Sequence, residues 1–319
     1  MRSALNFHLT VVFAALTAFS SIGLSETPSK AATPSPKISP EREKQRKMLT
    51  LLQPRAPVAG QPFDDREVIL YIEKQGRRLL DGNRIKKLTL ERRSCSMQIQ
   101  EPDNARLAWA AVDARAEAAT LVIGEFYRDS ASKETRFSVA AGGFVVSDSG
   151  ACVTSLHVTK DKSSRGFCAM LRDGRVFAVR EVLAADPVND VVILQLDLPA
   201  DVKLPALPLA PAPAPVGSPV VVMSHPDERF YMLTTGTVAR HFIWRDLAGD
   251  QAFMAITADF AKGSSGCPVL DDRGAVVGIV NNTESIYYGD DGHKKQTDLQ
   301  MVVKNTTPSW IVRRMIAAP

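Results

Sequence analysis

The string Gly263-Ser264-Ser265-Gly266-Cys267-Pro268 places a serine between two glycines in a loop. A serine hydroxyl is a weak nucleophile until a positioned base takes its proton. It also needs N–H donors aimed at the oxyanion that its attack creates. Gly263, two residues before Ser265, lets the loop turn so that the N–H groups of Gly263 and Ser265 can face one pocket. Gly266 leaves the hydroxyl accessible. Taken alone, the string is also an ordinary Gly/Ser/Pro turn.

A base and its orienting acid stand upstream. Gly142-Gly143-Phe144-Val145-Val146 and Gly150-Ala151-Cys152-Val153-Thr154-Ser155-Leu156-His157 read as two strands joined by a turn, with His157 just past the second. That place suits a general base on a rigid edge, although a lone histidine is more often structural. Then comes Asp186-Pro187-Val188-Asn189-Asp190, followed at once by the apolar run Val191–Leu196. A carboxylate against a buried strand is costly without a partner. Asp190 is therefore the expected acceptor for the His157 ring, while Asp186, before a proline, reads as turn chemistry.

The order His157, Asp190, Ser265 is the chymotrypsin order. Residues 120–316 resemble the trypsin-like serine peptidases, nearest the bacterial HtrA/Deg-like branch. The resemblance rests on Gly143–Val158, Asp186–Leu196, Val216–Arg240 and Thr257–Val280. It implies an all-β fold of two antiparallel six-stranded barrels, the triad in the cleft between them, and acyl-enzyme hydrolysis of polypeptides. Three departures stand out. The chain ends at Pro319, so control through a PDZ domain is not expected. Cys267 replaces the usual glycine after Ser-Gly. Ser264 stands where digestive trypsins carry an aspartate that pairs with a newly cut N-terminus. A catalytically idle module that holds peptides in the cleft is the alternative, disfavoured because no triad residue is missing.

For substrate recognition, Asp259 lies six residues before Ser265, where trypsin-like enzymes place the acid that selects Lys or Arg. Phe260 and Lys262 beside it leave a structural ion pair or loop cap equally open. Asn281, Asn282 and Thr283 resemble the edge that pairs with a substrate backbone. His225, His241 and His293 are assigned to structure or surface.

The elements that must position these residues follow from pattern. Short β-type runs are expected at Thr120–Tyr127, Phe137–Ser147, Ala151–Ser155, Gly166–Leu171, Val176–Leu183 and Val191–Leu196. After a Pro/Ala-rich bridge, Pro199–Pro215, a second set falls at Pro219–Met223, Leu233–Arg240, Ala252–Ala258, Ala275–Asn281 and Thr297–Val303. Two groups of closely spaced strands suggest two barrels, about 118–202 and 203–303, closed by a helix over 308–316. Upstream, a Pro/Ser/Lys-rich linker (26–60) precedes a helical extension (61–117), with helices expected at Asp64–Leu80 and Leu107–Ala119. This extension carries no functional reading of its own.

Arg2 and the short apolar run Leu9–Phe19, then Gly23 and Ser25, read as a signal peptide over 1–25, with a retained anchor as the second reading. The expected location is periplasmic or extracellular, without stable membrane insertion. In such a compartment Cys95, Cys152, Cys168 and Cys267 can pair in three ways. A Cys152–Cys168 bridge would staple the loop that follows His157, whereas four small buried thiols are nearly as good a reading. Neither Cys nor His shows zinc-ligand spacing, and no phosphate loop or dinucleotide fingerprint occurs, so no metal or cofactor is expected. The net charge of +4 argues for no nucleic-acid partner. Basic residues gather at Arg42, Lys44, Arg46 and Lys47 and again at Arg84, Lys86, Lys87, Arg92 and Arg93, read as solvated faces of helices or linker with anionic surface binding as a minor possibility. A homo-oligomer remains open.

Overall fold

The computed structural model describes residues 54–58, 61–247, 249–290 and 296–317. The signal segment, nearly all of the linker, and His293 lie outside the described residues. Helix α1 (Asp65–Asp81) opens the described chain, capped by the Asp64 carboxylate on the Arg66 N–H. Asp65 and Glu67 in its first turn and Arg78 in its last favour the helix dipole. Strand β1 (Cys95–Ser96) and helix α2 (Trp109–Ala119) follow. Helix α2 runs without a break into β2.

The first barrel consists of β2 (Thr120–Arg128), β3 (Thr135–Val145), β4 (Ala151–Ser155), β5 (Ser164–Met170), β6 (Val176–Asp186) and β7 (Val191–Leu196). The ring order is β2-β3-β4-β7-β6-β5, closed where β5 pairs with β2. Leu121, Ile123, Val145, Cys152, Leu156 and Phe167 form its interior. On the opposite face of the same wall, Val122, Phe126, Cys168 and Met170 pack against Val68 and Ile72 of α1. The helix sits close because Gly76 has no side chain; a Cβ there would lie 2.7 Å from the Cys168 sulfur. Truncating Ile72 to alanine should cost about 2–5 kcal/mol. The extension is thus a fitted cover for the barrel's outer face.

The second barrel consists of β8 (Pro219–Ser224), β9 (Met232–Asp246), β10 (Gly249–Ile256), β11 (Pro268–Leu270), β12 (Val276–Asp290) and β13 (Gln296–Pro308), in the ring order β10-β13-β12-β11-β8-β9. Helix α3 (Ser309–Met315) and strand β14 (Ile316–Ala317) close the described chain, and β14 pairs in parallel with β1. Between the barrels lies a shared core. Phe144, Val153 and Ile193 of the first meet Val221, Leu270 and Ile279 of the second, with Val112 and Ala116 of α2 and Val312 of α3 inserted. The Pro/Ala-rich bridge belongs to this core, since Leu207 and Leu209 are fully buried in it.

Three expectations are corrected. The anticipated Cys152–Cys168 bridge does not form: all four cysteines are free thiols. Cys152 faces the interior of the first barrel and Cys168 the opposite face under α1, so the barrel wall separates them. Strand β12 runs well beyond 275–281, because the outer part of its hairpin is largely exposed and shows no apolar alternation. Strand β13 runs past 303 through the buried but polar Asn305, Thr306 and Thr307, which give no apolar signal. Strand β11, only three residues long, falls below what a period-2 pattern can reveal. No described helix is long and apolar enough to cross a membrane.

Candidate active site

Ser265 stands in the loop between β10 and β11. Gly263 and Gly266 have φ of +94° and +83°, left-handed values that side chains rarely adopt. Space also demands glycine. A Cβ on Gly263 would lie 2.7 Å from the His225 carbonyl oxygen, and one on Gly266 would lie 2.3 Å from the Thr154 hydroxyl. The loop is tied down by Ser264 N–H to the Ala261 oxygen (3.1 Å), Cys267 N–H to the Ser264 oxygen (3.0 Å) and Gly266 N–H to the Val280 oxygen (2.8 Å). Among the described residues, neither the Gly263 N–H nor the Ser265 N–H has an acceptor. Two open donors therefore flank the serine.

His157 lies in a 3-10 turn, Leu156–Thr159, directly after β4. The Thr159 hydroxyl closes the turn on the Leu156 carbonyl at 2.9 Å. The imidazole is half exposed, with Nδ1 at 2.5 Å from Asp190 Oδ2 and Nε2 at 3.1 Å from Ser265 Oγ. The other oxygen of Asp190 accepts the backbone N–H of His157 at 2.8 Å, and its carbonyl accepts the Leu156 N–H at 3.0 Å. Asp190 makes these contacts from a left-handed backbone, φ +56°. Asp186 does not take part. Its carboxylate accepts the N–H groups of Val188 and Asn189, both at 3.0 Å, and so builds the turn that presents Asp190.

Ser265 belongs to the second barrel, and its partners to the first. Across the seam, Gly142 N–H donates to the Ser265 carbonyl at 3.0 Å, and the Ser155 hydroxyl donates to the Val280 carbonyl at 3.1 Å. His225 is a further tie. Fully buried, it accepts the Tyr231 N–H on Nδ1 (3.0 Å), which leaves Nε2 to donate to the Leu121 carbonyl (3.1 Å). Burial pushes its pKa down to about 4, so it stays neutral. Nothing in the sequence distinguishes this histidine, because its partners are backbone groups brought in by the fold.

The residues expected to meet substrate are divided. Asp259 is 84% exposed, and its carboxylate lies 3.4 Å from the Lys304 ammonium. Lys304 also donates to the Phe260 carbonyl at 2.8 Å. The acid is thus partnered, by a lysine of β13 rather than by Lys262. Asn281 is buried and its side-chain amide donates to the Thr307 hydroxyl at 3.1 Å, so its side chain ties β12 to β13. Asn282 accepts from the Asn305 amide at 3.0 Å, and Thr283 is exposed. Strand β11 pairs with β12 only as far as Ile279, and the nucleophile loop continues the contact to Val280. Beyond it, from Asn281 on, that edge of β12 carries no neighbouring strand among the described residues. No cluster of three or more metal-ligating side chains occurs among the described residues.

Residues 141–279 match the family model of the trypsin-like peptidase domain, and the two closed six-stranded barrels are the all-β architecture of that class. Several of its relatives bear protease names. It is 30% identical over 46% of its length to the putative serine protease HhoA of Synechocystis sp., covering 38% of that protein. It is 31% identical over 49% of its length to serine protease HTRA1A of Danio rerio, covering 33% of it. A probable periplasmic serine endoprotease DegP-like of Brucella suis is 31% identical over 44% of the chain, which covers 27% of that relative. The chain therefore spans well under half the length of these relatives.

Proposed function

We propose that the protein is an exported serine endopeptidase with Ser265 as nucleophile, His157 as general base and Asp190 as the orienting acid. The observation that carries this reading is the hydrogen-bonded line Asp190–His157–Ser265, set beside the two unpartnered N–H groups of Gly263 and Ser265. Ser265 Oγ attacks the scissile carbonyl carbon while its proton passes to His157 Nε2. The carbonyl oxygen, now an oxyanion, is received by the two N–H groups. Collapse of the tetrahedral adduct breaks the C–N bond, and His157 returns the proton to the leaving amine. Water, deprotonated by His157 in turn, then hydrolyses the acyl ester. Asp190 fixes the tautomer with hydrogen on Nδ1 and stabilises the imidazolium as it forms.

The substrate is an extended polypeptide that adds to the open edge of β12 at Asn281–Thr283 through main-chain hydrogen bonds. Export follows from the signal-like segment 1–25 and agrees with the periplasmic name of the Brucella relative. The test is labelling by a fluorophosphonate, which reacts only with an activated serine. Native protein should be labelled on Ser265 and should digest a denatured polypeptide. A Ser265→Ala protein that digests it at the native rate would overturn the assignment.

A further inference from the structure

The basic run between α1 and β1 separates into two kinds of residue once folded. Arg84 is paired with Asp197 at 2.6 Å and Arg92 with Glu181 at 3.1 Å. Lys86 and Lys87 have no carboxylate partner among the described residues. Instead they line a concavity of about 610 Å³ together with Arg128, at the end of β2, and Lys162 and Arg165, around the start of β5. The other lining residues are Leu80, Asn83, Ile85, Ser163 and Ser164. Five cations thus converge on one hollow with no carboxylate in its lining. Like charges so gathered repel one another, and an entering anion relieves all five at once.

The hollow is built rather than a chance crowding of surface lysines. Gly166, with φ +134°, lets the Lys86 backbone press onto β5; a Cβ there would lie 2.4 Å from the Lys86 carbonyl oxygen. The loop opposite is held by Arg128 N–H on the Ser163 carbonyl (2.9 Å) and Ser163 N–H on the Asp161 carboxylate (2.7 Å). Ser164, only 6% exposed, lines the hollow and turns its hydroxyl to the buried carboxyl of Glu125 on β2, which fixes that wall.

We propose that this hollow binds a compact anion carrying two or more phosphate groups, either free in solution or as a lipid headgroup. Arg128 and Arg165 offer planar forks that match phosphate oxygens two at a time, and the lysines add point charges. No aromatic side chain lines the hollow, so nothing there would stack a nucleobase. None of His157, Asp190 and Ser265 lines the hollow.

The test uses the full chain, with sodium tripolyphosphate in calorimetry and cardiolipin vesicles in sedimentation. Saturable one-to-one binding that weakens with added salt is expected. Lys86→Gln/Lys87→Gln and, independently, Arg128→Gln/Arg165→Gln should each weaken binding about tenfold or more. Lys203→Gln/Arg273→Gln, which removes the same charge elsewhere, should not. All these side chains are exposed, so unchanged melting temperatures will certify folding. Vesicle binding lost in the pocket variants identifies a lipid source; tripolyphosphate binding without vesicle binding identifies a soluble one. The proposal falls if neither probe binds saturably, or if the pocket variants bind as tightly as the control pair. It also falls if poly-glutamate of matched charge binds equally well.

Discussion

Asp190 grips His157 with both carboxylate oxygens, one on the backbone N–H at 2.8 Å and the other at ring Nδ1, 2.5 Å away. The acid therefore sets both the place of the base and the rotation of its ring. Asparagine is the informative replacement, because it tolerates the left-handed backbone that Asp190 occupies at φ +56°. Its amide can still accept the backbone N–H, but its NH2 would donate to Nδ1 and move the ring proton to Nε2. Asp190→Asn should lower turnover by about 10⁴ with the fold intact. Asp186→Asn, which keeps a turn acceptor, should be mild. The reverse ranking in a steady-state assay would transfer the orienting role to Asp186.

Gly263→Ala should disable the oxyanion donors without touching the triad. The new Cβ meets the His225 carbonyl, and φ +94° strains any side chain. Loop rearrangement should cost about 10²–10³ in turnover, the usual effect of losing one such donor. Native turnover in this variant would show that the Gly263 N–H is not used.

Cleavage-site profiling should show no enrichment of Lys or Arg before the scissile bond. Asp259 is already offset by Lys304 at 3.4 Å, so it offers little to a basic side chain. Lys304→Met should raise acceptance of basic residues. A strong preference for them in the native protein would mean that the pair opens for substrate.

Glu125 of β2 is 8% exposed, and burial pushes its carboxyl up to about 7. The folded state therefore holds a proton that the unfolded chain releases near its ordinary value of about 4.5. A raised folded pKa contributes stability below the unfolded value, lost as pH rises through the folded one. Glu125→Gln cannot titrate. Wild type should thus lose melting temperature relative to this variant between about pH 4.5 and 7. A difference that stays constant across that range would place Glu125 in a solvated setting.

Thiol titration checks the cysteine pairing. Without reductant, the denatured chain should show all four thiols, as the free cysteines require. In the native state only half-buried Cys95 is within reach of reagent, and burial raises its pKa. Burial also pushes both Cys152 and Cys168 up to about 12, and Cys267 higher still. Reductant should leave the melting temperature unchanged. Two missing thiols in the denatured count would restore a bridge.

Much of this site was legible because its chemistry is local. The glycines around Ser265, the strand end before His157 and the acid before Val191–Leu196 each lie within a few residues of the group they serve. What escaped is set by distance in sequence or by absence of pattern. The Lys304 partner of Asp259 and the Leu121 partner of His225 come from strands far along the chain. Every residue of β4 is buried, since one face lines the barrel and the other the seam, so an apolar run there says nothing of which face is which. The opposite facing of Cys152 and Cys168 is invisible for the same reason.

The hydrogen-bonded line crosses from one barrel to the other, and Ser265 follows His157 by 108 residues. Ribosomes release chains from the amino end, and domains fold as units as they emerge. A nascent chain whose first barrel has closed holds the base and its acid while the nucleophile is still unmade. On the reading proposed above, such a half-made chain is harmless to its neighbours, because proteolytic competence begins only when the second barrel docks. If the chain is exported unfolded, that moment falls on the far side of the membrane.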